Sequence, residues 1–264
     1  MTPKLSEYLA FAHRLADASA EAIRPHFQTH LTATDKKDRG NQYSPVTAAD
    51  QAAEAVMRRL INETYPDHGI FGEEQGVENL DAEYVWVLDP IDGTRSFLVG
   101  FPIFGTLIAL NHQGTVEFGI MNQAISGERF VGGPEGAFLG ERRIKTRSCA
   151  DLADAILCYS GPWLYHKENE RRVFDQVAKR VTLTMHVGDC YNYCMLALGM
   201  IDLVIETELN PWDIQALIPI IEQADGIVTT WNGGRVEDGG QVIACGDRRL
   251  YDQVMPILAQ AADA

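Results

Sequence analysis

The stretch WVLDPIDGTRSF, residues 86–97, ends an apolar run in two aspartates three residues apart, Asp89 and Asp92, followed directly by Gly93 and Thr94. Two carboxylates at the end of a buried strand repel each other and lose hydration, so they persist where a positive charge lies between them. Pro90 fixes its own φ and forces the chain to turn, while Gly93 allows close approach of the backbone. Thr94 suits the cap of a short helix starting at Arg95. Such a turn presents two carboxylates and a set of N–H groups toward one point. Oxygen donors without imidazole or thiolate suit Mg2+ before Zn2+. N–H groups at a helix start suit an anion such as phosphate. Mg2+ beside phosphate is an arrangement for hydrolysis. Taken alone, D-x-x-D also reads as a capped turn with surface aspartates.

Other acids stand in comparable settings. GEEQG (72–76) sets Glu73 and Glu74 in a Gly-flanked turn after Ile70 and Phe71. SPVTAAD (44–50) places Asp50 early in a helix, and NPWDIQAL (210–217) places Asp213 in the first turn of another. A carboxylate in a first helical turn is also ordinary charge–dipole placement.

The elements that carry these groups follow from periodicity. The spacing predicts helices over 3–24 and 47–64, the second with Val56, Leu60 and Ile61 on its inner face. The polar run 28–44 between them has no apolar period and reads as a long, functional loop. Strands are predicted over 84–89, 104–111 and 115–122, with HQGT as a hairpin turn, then two short strands in ERFVGG and GAFLG. The second half alternates: strand 155–160, helix 167–180, strand 181–187, helix 189–199, strand 201–207, helix 211–224, strands 226–231 and 241–246, helix 247–261. Alternation of this kind predicts an α/β layer. The expected division is an α+β domain over 1–147 and an α/β domain over 148–264.

Composition narrows the function. The formal net charge of −15 speaks against binding nucleic acid or an anionic membrane through clustered Lys and Arg. Five cysteines without a C-x-x-C pair argue against a disulfide framework or structural zinc, and Cys190 and Cys194 read as packing residues. The first 27 residues carry charges throughout, unlike a signal peptide, and no run approaches the roughly 20 apolar residues of a membrane span. A cytoplasmic protein is expected. His13, His26 and His186 lack metal spacing, and Trp86, Trp163 and Trp231 are read as core or interface.

Together these motifs resemble the inositol monophosphatase superfamily of Mg2+-dependent, lithium-sensitive phosphatases. The likeness rests on Gly72-Glu73-Glu74, on Asp89-Pro90-Ile91-Asp92-Gly93-Thr94, on Trp212-Asp213 and on the P-V-T-x-A-D element from Pro45 to Asp50. It implies a layered αβαβα sandwich of the kind shared with fructose-bisphosphatase, two to three Mg2+ ions and a homodimer. Glu73, Asp89 and the Ile91 carbonyl would hold a first ion, Asp89, Asp92 and Asp213 a second, and Glu73 would help with a weak third. Thr94 would orient the attacking water, Asp50 would accept from Thr94, and Glu74 would orient Glu73 or a metal-bound water. The phosphate would meet the N–H groups of Gly93 and Thr94. The loop 28–44 would be a lid whose basic residue is Lys36, Lys37 or Arg39.

The metal motifs indicate a phosphomonoester; the alcohol is read elsewhere. GDCYNYCMLALG (188–199) stands where inositol phosphatases of the superfamily usually show small residues. Asp189 there favours a cationic leaving group, although it also reads as a helix N-cap. Glu206 matches the family's leaving-group glutamate, and Asn192 is a further substrate-binding candidate. The run 188–233 resembles the histidinol-phosphate phosphatase branch, which implies hydrolysis of L-histidinol phosphate in histidine biosynthesis. The alternatives are an inositol-1-phosphate or broad sugar-phosphate phosphatase, and an RNA-associated protein that kept the fold. A bisphosphate substrate would need a basic cluster, and none lies near 188–213.

Overall fold

In the computed structural model, which describes residues 2–30, 32–36 and 45–263, the first predicted helix is α1, Pro3–Ile23. Thr2 caps it, its hydroxyl accepting from the Leu5 N–H at 3.2 Å. Within the polar run, β1 (Thr34–Asp35) pairs antiparallel with β2 (Pro45–Val46), which directly follows the run. Helix α2 (Ala48–Thr64) opens on a reciprocal cap: the Thr47 hydroxyl accepts from the Ala49 N–H, and the Asp50 carboxylate accepts from the Thr47 N–H. Its buried face is Ala49, Asp50, Ala53, Glu54, Met57, Arg58 and Ile61. Val56 and Leu60, predicted on that face, are only half-buried, because a buried Glu54–Arg58 pair occupies the adjoining row.

Eight strands form the first sheet, in the order β10-β9-β8-β7-β6-β5-β3-β4. They are β3 (Gly69–Gly72), β4 (Gly76–Glu78), β5 (Tyr84–Asp92), β6 (Gly105–His112), β7 (Thr115–Asn122), β8 (Arg129–Gly133), β9 (Gly136–Leu139) and β10 (Arg142–Arg143), with the short helix α3 (Thr94–Leu98) after β5. Neighbours are antiparallel except β3 and β5, which run parallel. β3 and β4 were not expected as strands; they are too short and Gly-bounded to show alternation. On one face Trp86, Leu88, Ile108, Phe118 and Ile120 pack against α1 and α2. Behind that layer His68 accepts from the Trp86 indole N–H at 3.1 Å.

The second sheet has the order β12-β11-β13-β15-β14. It comprises β11 (Ile156–Tyr159), β12 (Leu183–His186), β13 (Leu203–Leu209), β14 (Ile227–Thr230) and β15 (Gly240–Cys245). β12, β11 and β13 are parallel, whereas β15 is antiparallel to both its neighbours. Helices α4 (Glu168–Ala178) and α8 (Arg248–Leu258) cover its outer face. Between the two sheets lie α5 (Asp189–Ala197), α6 (Pro211–Ile214) and α7 (Leu217–Glu222). The layers therefore run αβαβα. One apolar cluster joins Val87, Leu107 and Phe130 of the first sheet to Cys194, Leu217, Ile220 and Val242 of the second half.

The single helix predicted over 211–224 is broken at Gln215-Ala216 into α6 and α7. Pro219 has no N–H to offer the Gln215 carbonyl, and its ring crowds that group. The Gln215 side chain instead accepts from Asn111 at 3.1 Å and donates to the Glu237 carbonyl at 2.9 Å. The segment lies directly on the first sheet. A Cβ on Gly119 would fall 1.9 Å from the Ala216 carbonyl oxygen, and one on Gly132 would fall 2.2 Å from the Ile220 nitrogen. No helix among the described residues is long and apolar enough to cross a membrane. All five cysteines are free and buried.

Candidate active site

Asp89 and Asp92 are an odd number of positions apart, so on a regular strand their side chains would point to opposite faces. The strand is not regular there. Asp89 pairs with Leu107 and Asp92 with Gly105, so β5 holds one extra residue between them. This bulge turns both carboxylates to one side. The Pro90 carbonyl is fixed by the Thr106 hydroxyl at 2.8 Å, and the Ile91 N–H donates to Asp89 Oδ1 at 3.0 Å. Gly93 then takes φ +88°, a left-handed conformation that favours glycine. The helix starts at Thr94, with Gly93 in the cap position that the sequence assigned to Thr94. The Thr94 hydroxyl lies 3.0 Å from the Ile91 carbonyl oxygen and 3.4 Å from Asp50 Oδ1.

Asp213 arrives from the second half on α6. Its Oδ2 accepts from the Asn210 N–H at 2.7 Å, which fixes the carboxylate at the helix start. One oxygen each from Asp89, Asp92 and Asp213 lies within 4.8 Å of the others. Burial above all, then the charges of Glu73, Asp92 and Asp213, pushes the Asp89 carboxyl well above the usual range. Asp92 is raised likewise by burial, then by Asp189 and Asp213. Three converging carboxylates that resist ionising together, with no imidazole or thiolate among them, are the donor set of a hard divalent cation. Mg2+ therefore fits the residues present.

Glu73 lines the same cavity. Its N–H donates to the Leu88 carbonyl at 3.1 Å, extending the β3–β5 pairing into the turn. Beneath the turn, Glu54 accepts from the N–H groups of Glu74 (2.7 Å) and Gln75 (3.0 Å). Gly72 is required there, since a Cβ would sit 2.3 Å from Glu54 Oε1. From the polar run between α1 and α2, Lys36 Nζ reaches Glu73 at 2.9 Å and Glu74 at 2.5 Å. Burial opposes the Lys36 charge, but the two glutamates outweigh it and hold its pKa above the ordinary value. Lys37 and Arg39, the other lid candidates, lie outside the described residues. Burial lifts Glu74 to about 7, against the Lys36 contact. It lifts Asp50 to about 6, against its bonds from Thr47.

Asp189 and Glu206 also line the cavity. Asp189 is the first residue of α5, and Gly188 holds the cap position, so the N-cap reading of Asp189 does not apply. Asp189 has φ +41°, uncommon for a residue with a side chain. Its Oδ2 lies 3.5 Å from the Ser96 hydroxyl and against Gly93, where a Cβ would meet it at 2.9 Å. Asn192 is buried beside Gly188 and is not part of the cavity lining. Sequence reasoning missed Ser160 and Tyr193, which hold Glu206, and Cys190, whose N–H donates to Asp92 Oδ2 at 2.5 Å. Position was the available signal: Ser160 directly follows a parallel strand, and Tyr193 is one helical turn beyond Asp189. Trp86 and Trp231 are core residues, as expected. Trp163, read as core or interface, is 36% exposed at the cavity, with the Arg95 guanidinium 4.7 Å from its ring centre.

A model of the inositol monophosphatase family matches residues 4–262. The bifunctional phosphatase IMPL2, chloroplastic, of Arabidopsis thaliana is 42% identical over 97% of this chain and 76% of its own length. A histidinol-phosphatase of Chlorobaculum parvum is 31% identical over 88% of each chain. Among solved structures, an inositol monophosphatase from Zymomonas mobilis is 42% identical and superposes with a TM-score of 0.86, covering 96% of this chain and 98% of that one.

Proposed function

The chain belongs to the inositol monophosphatase family and is a phosphatase of that family; from that premise we propose that it hydrolyses L-histidinol phosphate to L-histidinol and phosphate, with Mg2+. The observation that carries the substrate is the make-up of one cavity. Asp189 and Glu206 share it with Glu73, Asp89, Asp92 and Asp213. Two acids besides the cation ligands thus line the cavity in which the alcohol of a bound ester would lie. An ammonium or imidazolium on that alcohol is attracted to them; a neutral polyol gains less. Trp163, Leu164 and Leu209 add apolar wall suited to a ring.

The residues divide the work. Asp89 faces Glu73 as well as Asp92 and Asp213, whereas Asp92 faces Asp189 and Asp213. Glu73, Asp89 and the Ile91 carbonyl would hold one Mg2+, and Asp89, Asp92 and Asp213 would hold a second. When bound, Mg2+ supplies Lewis-acid stabilisation of phosphate oxygens and lowers the pKa of water. The Thr94 hydroxyl orients the attacking water, and Asp50, anchored by Thr47, backs that hydroxyl. The N–H groups of Gly93 and Thr94 receive the phosphate. Glu74 orients Glu73 through Lys36, which bridges the two.

The test is phosphate release from L-histidinol phosphate, inositol 1-phosphate and fructose 1,6-bisphosphate, measured side by side with Mg2+. The expected order places L-histidinol phosphate first in kcat/KM. Asp189→Ala should lower that value at least tenfold, the effect of losing about 1.4 kcal/mol of charge attraction. The 42% identical inositol monophosphatase favours a second reading, inositol 1-phosphate. Equal or better turnover of that ester by the wild type would put the second reading in place of the first.

A further inference from the structure

Glu206 is 1% exposed on β13, yet its carboxylate forms part of the cavity wall. Its Oε1 accepts from the Ser160 N–H at 2.7 Å and from the Ser160 hydroxyl at 2.5 Å. Its Oε2 accepts from the Tyr193 hydroxyl at 2.9 Å. An ionised carboxylate offers about four acceptor sites, so these three bonds leave one, on Oε2. We propose that Tyr193 and Ser160 are positioning residues: they hold Glu206 as an anion with its remaining acceptor site toward the leaving alcohol, and so set a preference for esters whose alcohol carries a cationic nitrogen. The proposal rests on the phosphatase reading above and deepens its choice of substrate.

The chemistry of the pocket gives this a direction. Donors from N–H and O–H groups favour the ionised form of a carboxyl; burial favours the neutral form. At Glu206 burial is the larger influence and the negative Asp189 adds to it, while Ser160 and Tyr193 oppose both, leaving the pKa at about 7. Among the described residues, the titratable groups facing Glu206 are Tyr193 and Asp189 from α5, Cys158 from β11 and Tyr165 from the segment before α4. Among them Asp189 is the acid, and the Tyr165 hydroxyl is engaged by the Ile205 carbonyl at 2.6 Å. Deleting the Tyr193 hydroxyl removes one bond that the anion makes and the neutral carboxyl does not need. The midpoint of Glu206 then rises. Binding of a cationic ester, which uses the anion, fails on the acid side; in Tyr193→Phe that failure begins at higher pH.

The experiment has two arms on the full-length, Mg2+-loaded enzyme. In the first, the protonated-carboxyl stretch of Glu206 is followed by infrared titration and assigned by its loss in Glu206→Gln. Tyr193→Phe should raise the midpoint by about one pH unit, the worth of one hydrogen bond to a charge. Ser160→Ala should raise it less, because the Ser160 N–H remains. In the second, KM is measured against pH for L-histidinol phosphate and for inositol 1-phosphate. The ratio of the two removes the titration of the phosphate itself. Tyr193→Phe should raise that ratio, histidinol ester over inositol ester, about fivefold at pH 7, the fall in the anion fraction when a midpoint near 7 moves up one unit, with kcat changed far less than KM. An unmoved infrared midpoint overturns the positioning role, as does an equal rise in both KM values. A wild type inert toward L-histidinol phosphate, with the infrared shift still seen in Tyr193→Phe, overturns the substrate reading and leaves the positioning of Glu206 standing.

Discussion

Glu54 is fully buried and commits both carboxylate oxygens, to Arg58 and to two backbone N–H groups of the turn that carries Glu73 and Glu74. Removing one partner of a buried ion pair leaves the other charge uncompensated and typically costs about 3–5 kcal/mol. Arg58 keeps a weaker, longer contact to Glu78 at 3.5 Å. Glu54→Gln should therefore sit near the lower end, a loss of about 3 kcal/mol in urea denaturation, with kcat falling as the turn loosens. A variant as stable as wild type would show that the pair does not hold the turn. This residue also marks what can be read from sequence. Glu73, Asp89, Asp92 and Asp213 were legible because each sits in a Gly- or Pro-punctuated motif. Glu54 and Arg58, four apart on a helix, look like any surface ion pair. Ser160 and Tyr193 carry only a signal of position, and residue type alone does not distinguish a Tyr that packs from one that grips a carboxylate.

At the level of elements, the position of Asp213 depends on how closely α6 and α7 approach β7 and β8. No side chain fits between Gly119 and the Ala216 carbonyl, so Gly119→Ala drives a methyl into backbone, which cannot rotate away. Overpacking of this kind costs about 1–3 kcal/mol and shifts the crowded segment. The expected result is a lower Tm together with weaker Mg2+ binding by calorimetry, since Asp213 moves with α6. Gly246→Ala is the control: its methyl would meet no atom closer than 3.4 Å. Loss of stability with unchanged Mg2+ affinity would separate the close approach from the placement of Asp213. The long strands and most helices were legible from period and turn residues. The β3–β4 pair and the break between α6 and α7 were not. The first is too short for a period to develop, and the second depends on Pro219 acting on a carbonyl four residues back inside an apolar run.

Over the whole molecule, 37 acids against 22 bases give the net charge of −15, and part of that imbalance is concentrated in one place. Among the described residues, the cavity lining holds six acids and a single base, Arg95. Folding without a cation must bring Asp89, Asp92 and Asp213 together against their mutual repulsion. A cation that binds only the folded arrangement therefore stabilises the fold by mass action. At a hundred times its dissociation constant, one Mg2+ adds about 2.7 kcal/mol, which for a chain of this size raises Tm by roughly 5–10 °C. Chelator-treated protein should melt lower by that amount and recover on adding Mg2+. Simple screening predicts a different pattern. Salt weakens exposed charge repulsion over about 10 Å at 0.1 M, but buried pairs much less, so NaCl at matched ionic strength should restore only a fraction of the Tm. Asp92→Asn separates the two further. It relieves repulsion in the cation-free protein, raising the baseline Tm, and it removes a ligand, shrinking the gain from Mg2+. If NaCl matched Mg2+, or if Asp92→Asn kept the full Mg2+ gain, the stabilisation would belong to the surface charge and not to the acids of the cavity.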